Sequence, residues 1–214
     1  MALSVKQQQQ ITEERRTQIL SAAVKIFAAK GFANAKISDI ASAADLSYGL
    51  VYHYFKTKDD IFTELITQAH NHFTDALGQL SEYQASPLEK IRIFTEMVAP
   101  REPDEEIACF ATIILQAHIS ANLPDTIKSI IDNTISKHNE IISSLIIEGQ
   151  KLGQIVQGDS KKLAYSHYSM LWGMIVMQII ATGATSFPIT VMDPDTVIRA
   201  LRNPQYNDSQ GNRI

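Results

Sequence analysis

Cysteine is nearly absent from the chain. Cys109 alone cannot close an intrachain disulfide, so a packed core rather than cross-links is expected to hold the fold, with a reducing cytoplasm as the expected compartment. The start of the sequence lacks a positive segment followed by an apolar one, so no secretory leader is expected. Alternating apolar and polar runs bounded by hairpin turns are missing, which argues against a β-rich fold, and neither an internal repeat nor a sustained heptad is present. Paired acids, a Ser-His-Asp order and a phosphate-binding loop are missing too. No catalytic residue is nominated and no cofactor is expected. Metal ligands are equally wanting: His70 and His72 fall on different sides of a helix, and His118, His138 and His167 lie on separate helical segments without a carboxylate or thiol at ligand spacing.

What is present describes an ordinary globular chain: 214 residues, 45% hydrophobic and 20% charged, with a formal net charge of -4. That charge is unevenly spread. Residues 1–58 hold eight Lys or Arg against four Asp or Glu, whereas residues 59–214 hold eleven against nineteen. A basic head suited to a polyanion and an acidic body are implied.

Helical signals run throughout. A polar arm is expected over residues 1–11, including the glutamines at 7–10. Residues 12–30 place Ile19, Leu20, Ala23, Ile26 and Phe27 on one face, and Gly31 supplies a stop. Short helices follow at 37–44 and 48–55, separated by a turn at 45–47. Thr57 then offers an N-cap to a long fourth helix, with Asp59 and Asp60 at its positive end. Ser86-Pro87-Leu88-Glu89 opens a fifth helix with a capping box, Pro103-Asp104 a sixth, and Pro124-Asp125 a seventh that closes near 149–153. Asp159-Ser160 opens an eighth and Asp193-Pro194 a short ninth that stops before Pro204. The fold class is therefore all-α, with the boundary between head and body inside the fourth helix.

The second and third short helices carry the most specific chemistry. Ile40, Ala41, Ala44, Leu46, Val51 and Phe55 read as their inside, which leaves Ser47, Tyr48, Gly49, Tyr52 and His53 outside. A helix that begins with a hydroxyl, a glycine and hydrogen-bonding aromatics suits a DNA major groove. Lys36 and Ser38 at the start of the second helix, with Lys56 and Lys58 after the third, complete the candidate DNA-contacting set. The N-terminus of the fourth helix offers a further phosphate site.

Gly31-Phe32, Asp39-Ile40-Ala41, Ala44, Ser47, Gly49, Tyr52, Phe55 and Lys58 match in order and spacing the N-terminal pattern of the tetracycline-repressor-like (TetR) family of bacterial transcriptional regulators, which the chain resembles over residues 12–66. Two positions depart from that pattern. Asp45 stands where such proteins usually carry Gly, and Lys36 where they usually carry Thr.

The resemblance implies a three-helix helix-turn-helix head at 12–58, a ligand-binding and dimerisation body at 59–203, and a tail at 204–214. It further implies a homodimer that binds a pseudo-palindromic operator and is controlled by a small molecule, with the last helices forming the dimer contact through positions such as Trp172, Met174, Met177 and Ile180. The inward faces of helices four to eight offer Phe73, Leu77, Phe94, Met97, Phe110, Ile114 and Trp172, with His118, His138 and Tyr168 as polar anchors, and so suggest a largely apolar effector. For each of these residues simple core packing is the competing reading. Residues 164–192 carry no charge, which raises a membrane-anchored regulator as an alternative. Ser166, His167, Ser169, Gln178, Thr182 and Thr185, with Pro188, argue for a buried helix and no membrane instead. A small helical enzyme is the remaining alternative.

Overall fold

The computed structural model describes residues 5–99, 105–120, 123–182 and 193–206. Along them run α1 (Val5–Asn34), α2 (Ile37–Ala43), α3 (Tyr48–Tyr54), α4 (Lys58–Gln79), α5 (Pro87–Val98), α6 (Glu105–Ile119), α7 (Asp125–Lys151), α8 (Ser160–Thr182) and α9 (Pro194–Leu201). The described residues contain no strand; a single antiparallel bridge joins Ile155 and Arg202. The all-α expectation holds.

Most helix starts fall where short polar side chains can cap them. Thr57 and Asp60 bond each other's backbone amides at 3.0 and 2.9 Å, a reciprocal capping box at the start of α4. Ser86 accepts from the Glu89 amide, with Pro87 at the first position of α5. Asp159 accepts from the amides of Lys161 and Lys162, and Asp193 from that of Asp195 ahead of Pro194. Pro103 and Asp104 lie outside the described residues.

The start of α1 differs from expectation. The helix begins at Val5 and runs through the stretch expected to be an arm. Glutamine is a good helix former, Gln10 donates to Glu14, and the Thr12 hydroxyl donates to the Gln8 carbonyl, so the polar segment is helical although its side chains stay exposed.

The chain divides into two compact units, Met1–Ala69 with Cys109–Ile130, and His70–Ala108 with Ile131–Ile214. The first therefore takes in residues 59–69, beyond the expected limit of the head at 58. The reason is packing: Ile61, Phe62 and Leu65 are buried, and the Phe62 ring meets Phe27 at 5.2 Å and Phe32 at 4.7 Å.

The second unit is built around Leu77, Ile91, Phe94, Ile142, Ile146, Leu171, Met174 and Val197. Arg92 of α5 bridges to Asp195 of α9 at 3.0 Å. A Schellman motif ends α7: Gly153 takes φ 70, its amide donates to Gln150, and the Gln154 amide reaches back to Gly149. Gly149 is needed there, since a Cβ would lie 2.5 Å from the Ile155 side chain.

Among the described residues no helix is long and apolar enough to cross a membrane. Residues 183–192, which include Thr185 and Pro188, lie outside the described ones.

Candidate functional site

The turn between α2 and α3 is a second Schellman motif, with Asp45 at the left-handed position. Its φ is 53, its amide donates to Ser42, and the Leu46 amide donates to Ala41 at 2.9 Å. Among the described residues Asp45 is the only non-glycine with positive φ, and Asp tolerates that conformation better than most side chains. The departure from glycine therefore leaves the turn intact. Gln18 of α1 adds a cap by donating to the Ala44 carbonyl at 2.7 Å. Ser47 then caps α3 by accepting from the Leu50 amide at 3.2 Å.

With the turn fixed, Ile40, Ala41, Ala44, Val51 and Phe55 are buried. The opposite face of α3 is open: Ser47, Tyr48, Gly49, Tyr52 and His53 are all exposed. Tyr48 and Tyr52, one turn apart, stack at 6.1 Å with an interplanar angle of 19°, so their rings form a single slab. Lys56 lies over the Tyr52 ring at 5.2 Å and donates to the Tyr52 carbonyl at 3.0 Å, where a cation also meets the negative end of α3. Lys36 and Ser38 are exposed at the start of α2. The Lys36 amide is bound by Asp39, and the hydrogen bond from Lys30 holds the Asp39 carboxyl below the ordinary range.

Two cations of the basic head are placed otherwise. The Lys58 ammonium turns inward onto backbone carbonyls. Arg16 pairs with Glu64 and lies 4.7 Å over the Phe55 ring. The N-terminus of α4 is occupied by its own Thr57–Asp60 box, which leaves it less open to a phosphate than expected.

The expected effector residues fall in both units. Phe73, Phe94, His138, Tyr168 and Trp172 form a chain of ring contacts in the second unit, among them Phe73–Phe94 at 5.2 Å and His138–Tyr168 at 5.0 Å. Leu77 belongs to the same unit's core. Phe110, Ile114 and His118 fall in the first unit, which takes α6 from Cys109 onward. His118 is exposed, and so is Met97 at 46%, since the buried face of α5 runs through Ile91, Phe94 and Thr95. Of the expected interface positions, Met174 is fully buried in its own unit, whereas Ile180 is 38% exposed.

The sequence reading missed a polar chain inside this cluster. His138 Nε2 and His167 Nδ1 are 3.0 Å apart, and His167 Nε2 lies 2.9 Å from Thr95 Oγ1. The Thr95 hydroxyl donates to the Ile91 carbonyl at 2.7 Å, so it must accept from His167. Neutral His167 then accepts from His138 Nε2. That leaves His138 Nδ1 as an acceptor 3.4 Å from Asn139 Oδ1, a pairing that requires the Asn139 amide to be flipped so that its NH2 group donates to the ring. Burial drives both imidazoles toward the neutral form, His138 down to about 4 and His167, further opposed by charge on His138, down to about 3. Burial likewise raises the Tyr168 phenol, with a hydrogen bond from Trp172 acting against it.

A three-helix head that fixes two short helices across a capped turn and turns stacked tyrosines outward defines a helix-turn-helix DNA-binding regulator. Comparison with known proteins points the same way. Residues 19–65 match the model of the bacterial regulatory proteins of the tetR family. The fatty acid metabolism regulator protein of Bacillus subtilis (strain 168) is 26% identical over 159 residues, which cover 74% of this chain and 78% of that protein. Further matched regulators are covered over less than half of their length. Among solved structures, the TetR family transcriptional regulator PfmR from Thermus thermophilus superposes with a TM-score of 0.65 at 26% identity, covering 85% of this chain and 93% of that one. AibR, in complex with isovaleryl coenzyme A and operator DNA, shares the fold with a TM-score of 0.69 at 18% identity, covering 89% and 99%. Residues 19–65 thus carry the DNA-binding region of the tetR family, the described residues share the fold of tetR-family regulators, and the chain is a transcriptional regulator.

Proposed function

We propose that the chain acts in the cytoplasm as a homodimeric repressor, with α3 of each subunit entering a major groove of a pseudo-palindromic operator. Half-sites about 34 Å apart, one turn of duplex, would receive the two heads. The observation that carries this reading is the outward face of α3, where Tyr48, Gly49, Tyr52 and His53 stand exposed on a turn locked by Asp45. Lys36, Ser38 and Lys56 flank it with charge and a hydroxyl for the backbone. The DNA-binding part corresponds to residues 12–58, supported by the start of α4, and residues 59–203 carry the ligand and subunit contacts.

Release by a largely apolar small molecule follows from the ring chain Phe73, Phe94, His138, Tyr168 and Trp172. It offers aromatic faces with few polar groups. AibR, which shares the fold, is in complex with isovaleryl coenzyme A and operator DNA, and partners of these two kinds are what the reading expects here. An effector that prefers the released state by about 1–3 kcal/mol suffices to change operator occupancy 5- to 150-fold or so. Catalysis has no part in this reading.

The test is selection of bound duplexes from genomic DNA, repeated with apolar effectors, followed by binding at graded salt. Specific binding that weakens steeply with salt and is relieved by one class of effector is expected. Salt-insensitive binding without sequence preference would exclude the operator reading.

A further inference from the structure

We infer that Lys58 is a positioning residue of the DNA-binding head: its ammonium clips the end of α1, beyond the kink at Gly31, and the link to α2 onto the start of α4, and so sets how α2 and α3 face the duplex instead of meeting a phosphate. The inference deepens the operator reading above and rests on it for its functional consequence. A lysine ammonium carries three N–H groups, and Lys58 Nζ has three carbonyls within reach: Phe32 at 2.8 Å, Ala33 at 3.0 Å and Ala35 at 3.4 Å. All three belong to one short segment. The charge also lies over the Phe32 ring at 4.7 Å, and that ring packs on Phe62, one turn further along α4.

The segment is shaped to receive a cation. Gly31 takes φ 73 and ψ 158, which kinks α1 close to its end, and the carbonyls of Phe32, Ala33 and Ala35 beyond the kink are the ones that Lys58 meets. A positive charge there meets the negative end of α1. The next residue after Ala35 is Lys36, the N-cap of α2, so whatever fixes residues 32–35 also fixes where α2 begins. Through the Ala44–Leu46 turn it sets the start of α3 as well. Lys56 stands in contrast. It touches only the end of α3, and its side chain is exposed. All three N–H groups of Lys58 are taken up, so a phosphate reaching it has to displace a carbonyl, whereas Lys56 bonds two carbonyls, at 3.0 and 3.5 Å, and keeps a third N–H for a phosphate.

The two roles separate in a salt titration. Wild type, Lys58→Met, Lys58→Gln and Lys56→Met are compared on a duplex selected by the wild-type chain, at a temperature where circular dichroism shows each folded. Lys58→Met is expected to weaken binding by about tenfold at every salt concentration, with the slope of log affinity against log salt unchanged. Lys58→Gln, uncharged yet able to donate to the same carbonyls, is expected to recover part of the loss. Lys56→Met is expected to flatten the slope by about 0.9 for each phosphate contact removed. A flattened slope in both Lys58 variants would make it a phosphate contact and overturn the inference. Unchanged affinity in folded Lys58→Met would reduce it to a merely stabilising residue, which also overturns it. Hydrogen exchange tests the clip without DNA. Faster exchange at residues 33–40 in Lys58→Gln is expected, and unchanged exchange there refutes the clip even if the operator reading fails for other reasons.

Discussion

At the scale of single residues, Gly49 separates folding from binding. It sits in the first turn of α3, exposed, and a Cβ built on it meets no other atom within 4 Å. Within the protein, then, glycine is a cost: alanine would favour the helix by about 1 kcal/mol. Glycine does make sense if the α3 backbone approaches the duplex closely, because a methyl group would then stand between them. Gly49→Ala is expected to raise the unfolding free energy by about 1 kcal/mol in denaturant titration, yet to weaken operator binding measured by fluorescence anisotropy. A variant that is more stable and binds as well as wild type would rule out the close approach. Asp45 shows the opposite balance. Its left-handed backbone costs stability relative to glycine, but the motif closes through the Asp45 and Leu46 amides all the same.

At the scale of elements, the polar chain Asn139–His138–His167–Thr95 joins α7, α8 and α5 through a buried aromatic region. A wholly apolar arrangement would need no such matching of donors and acceptors, so the chain constrains which rotations of the three helices are acceptable. It also makes the fold sensitive to acid. The folded-state values of both histidines lie below the ordinary 6.5, so the unfolded chain binds more protons wherever the two differ. Stability is therefore unaffected by these groups above pH about 6.5 and is lost as pH falls from there toward 4. For His138 alone the loss amounts to at most about 3 kcal/mol. Native-state NMR is expected to show both imidazoles still neutral at pH 5.5 or so. The unfolding free energy of wild type is expected to fall more between pH 6.5 and 4.5, roughly, than that of His138→Gln. Equal pH dependence in the two proteins would mean that the pair is not the acid-sensitive element.

At the scale of the molecule, what could be read from the sequence was local. Ser86-Pro87, Asp159 and Asp193-Pro194 mark helix starts because a cap bonds to amides only two or three residues away, and the structure has those bonds. The exposed set on α3 was legible for the same reason, since helical spacing alone divides Val51 from Tyr48, Tyr52 and His53. What escaped was contact between distant segments. Nothing near Lys58 or Arg16 in sequence reveals that one faces the carbonyls of residues 32–35 and the other Glu64. The pairing of His138 with His167, and the division of Phe110, Ile114 and His118 from Phe73, Phe94 and Tyr168, likewise depend on which core each helix enters. Apolar periodicity says that a face is buried, not against what.

The central claim is that α3 reads the operator with Tyr52 and His53. It is tested most directly by the affinity of the Tyr52→Ala, His53→Ala double variant for a duplex that the wild-type chain selects from genomic DNA, with an unrelated duplex of equal length as reference. Both side chains are exposed and neither supports the core, so the variant is expected to keep its helicity, unfolding midpoint and oligomeric state. The expected result is loss of the preference for the selected duplex, by about 1–3 kcal/mol or more for each base contact removed, while weak salt-dependent binding to any duplex persists. A double variant that still distinguishes the selected duplex from the unrelated one as well as wild type does would contradict the account.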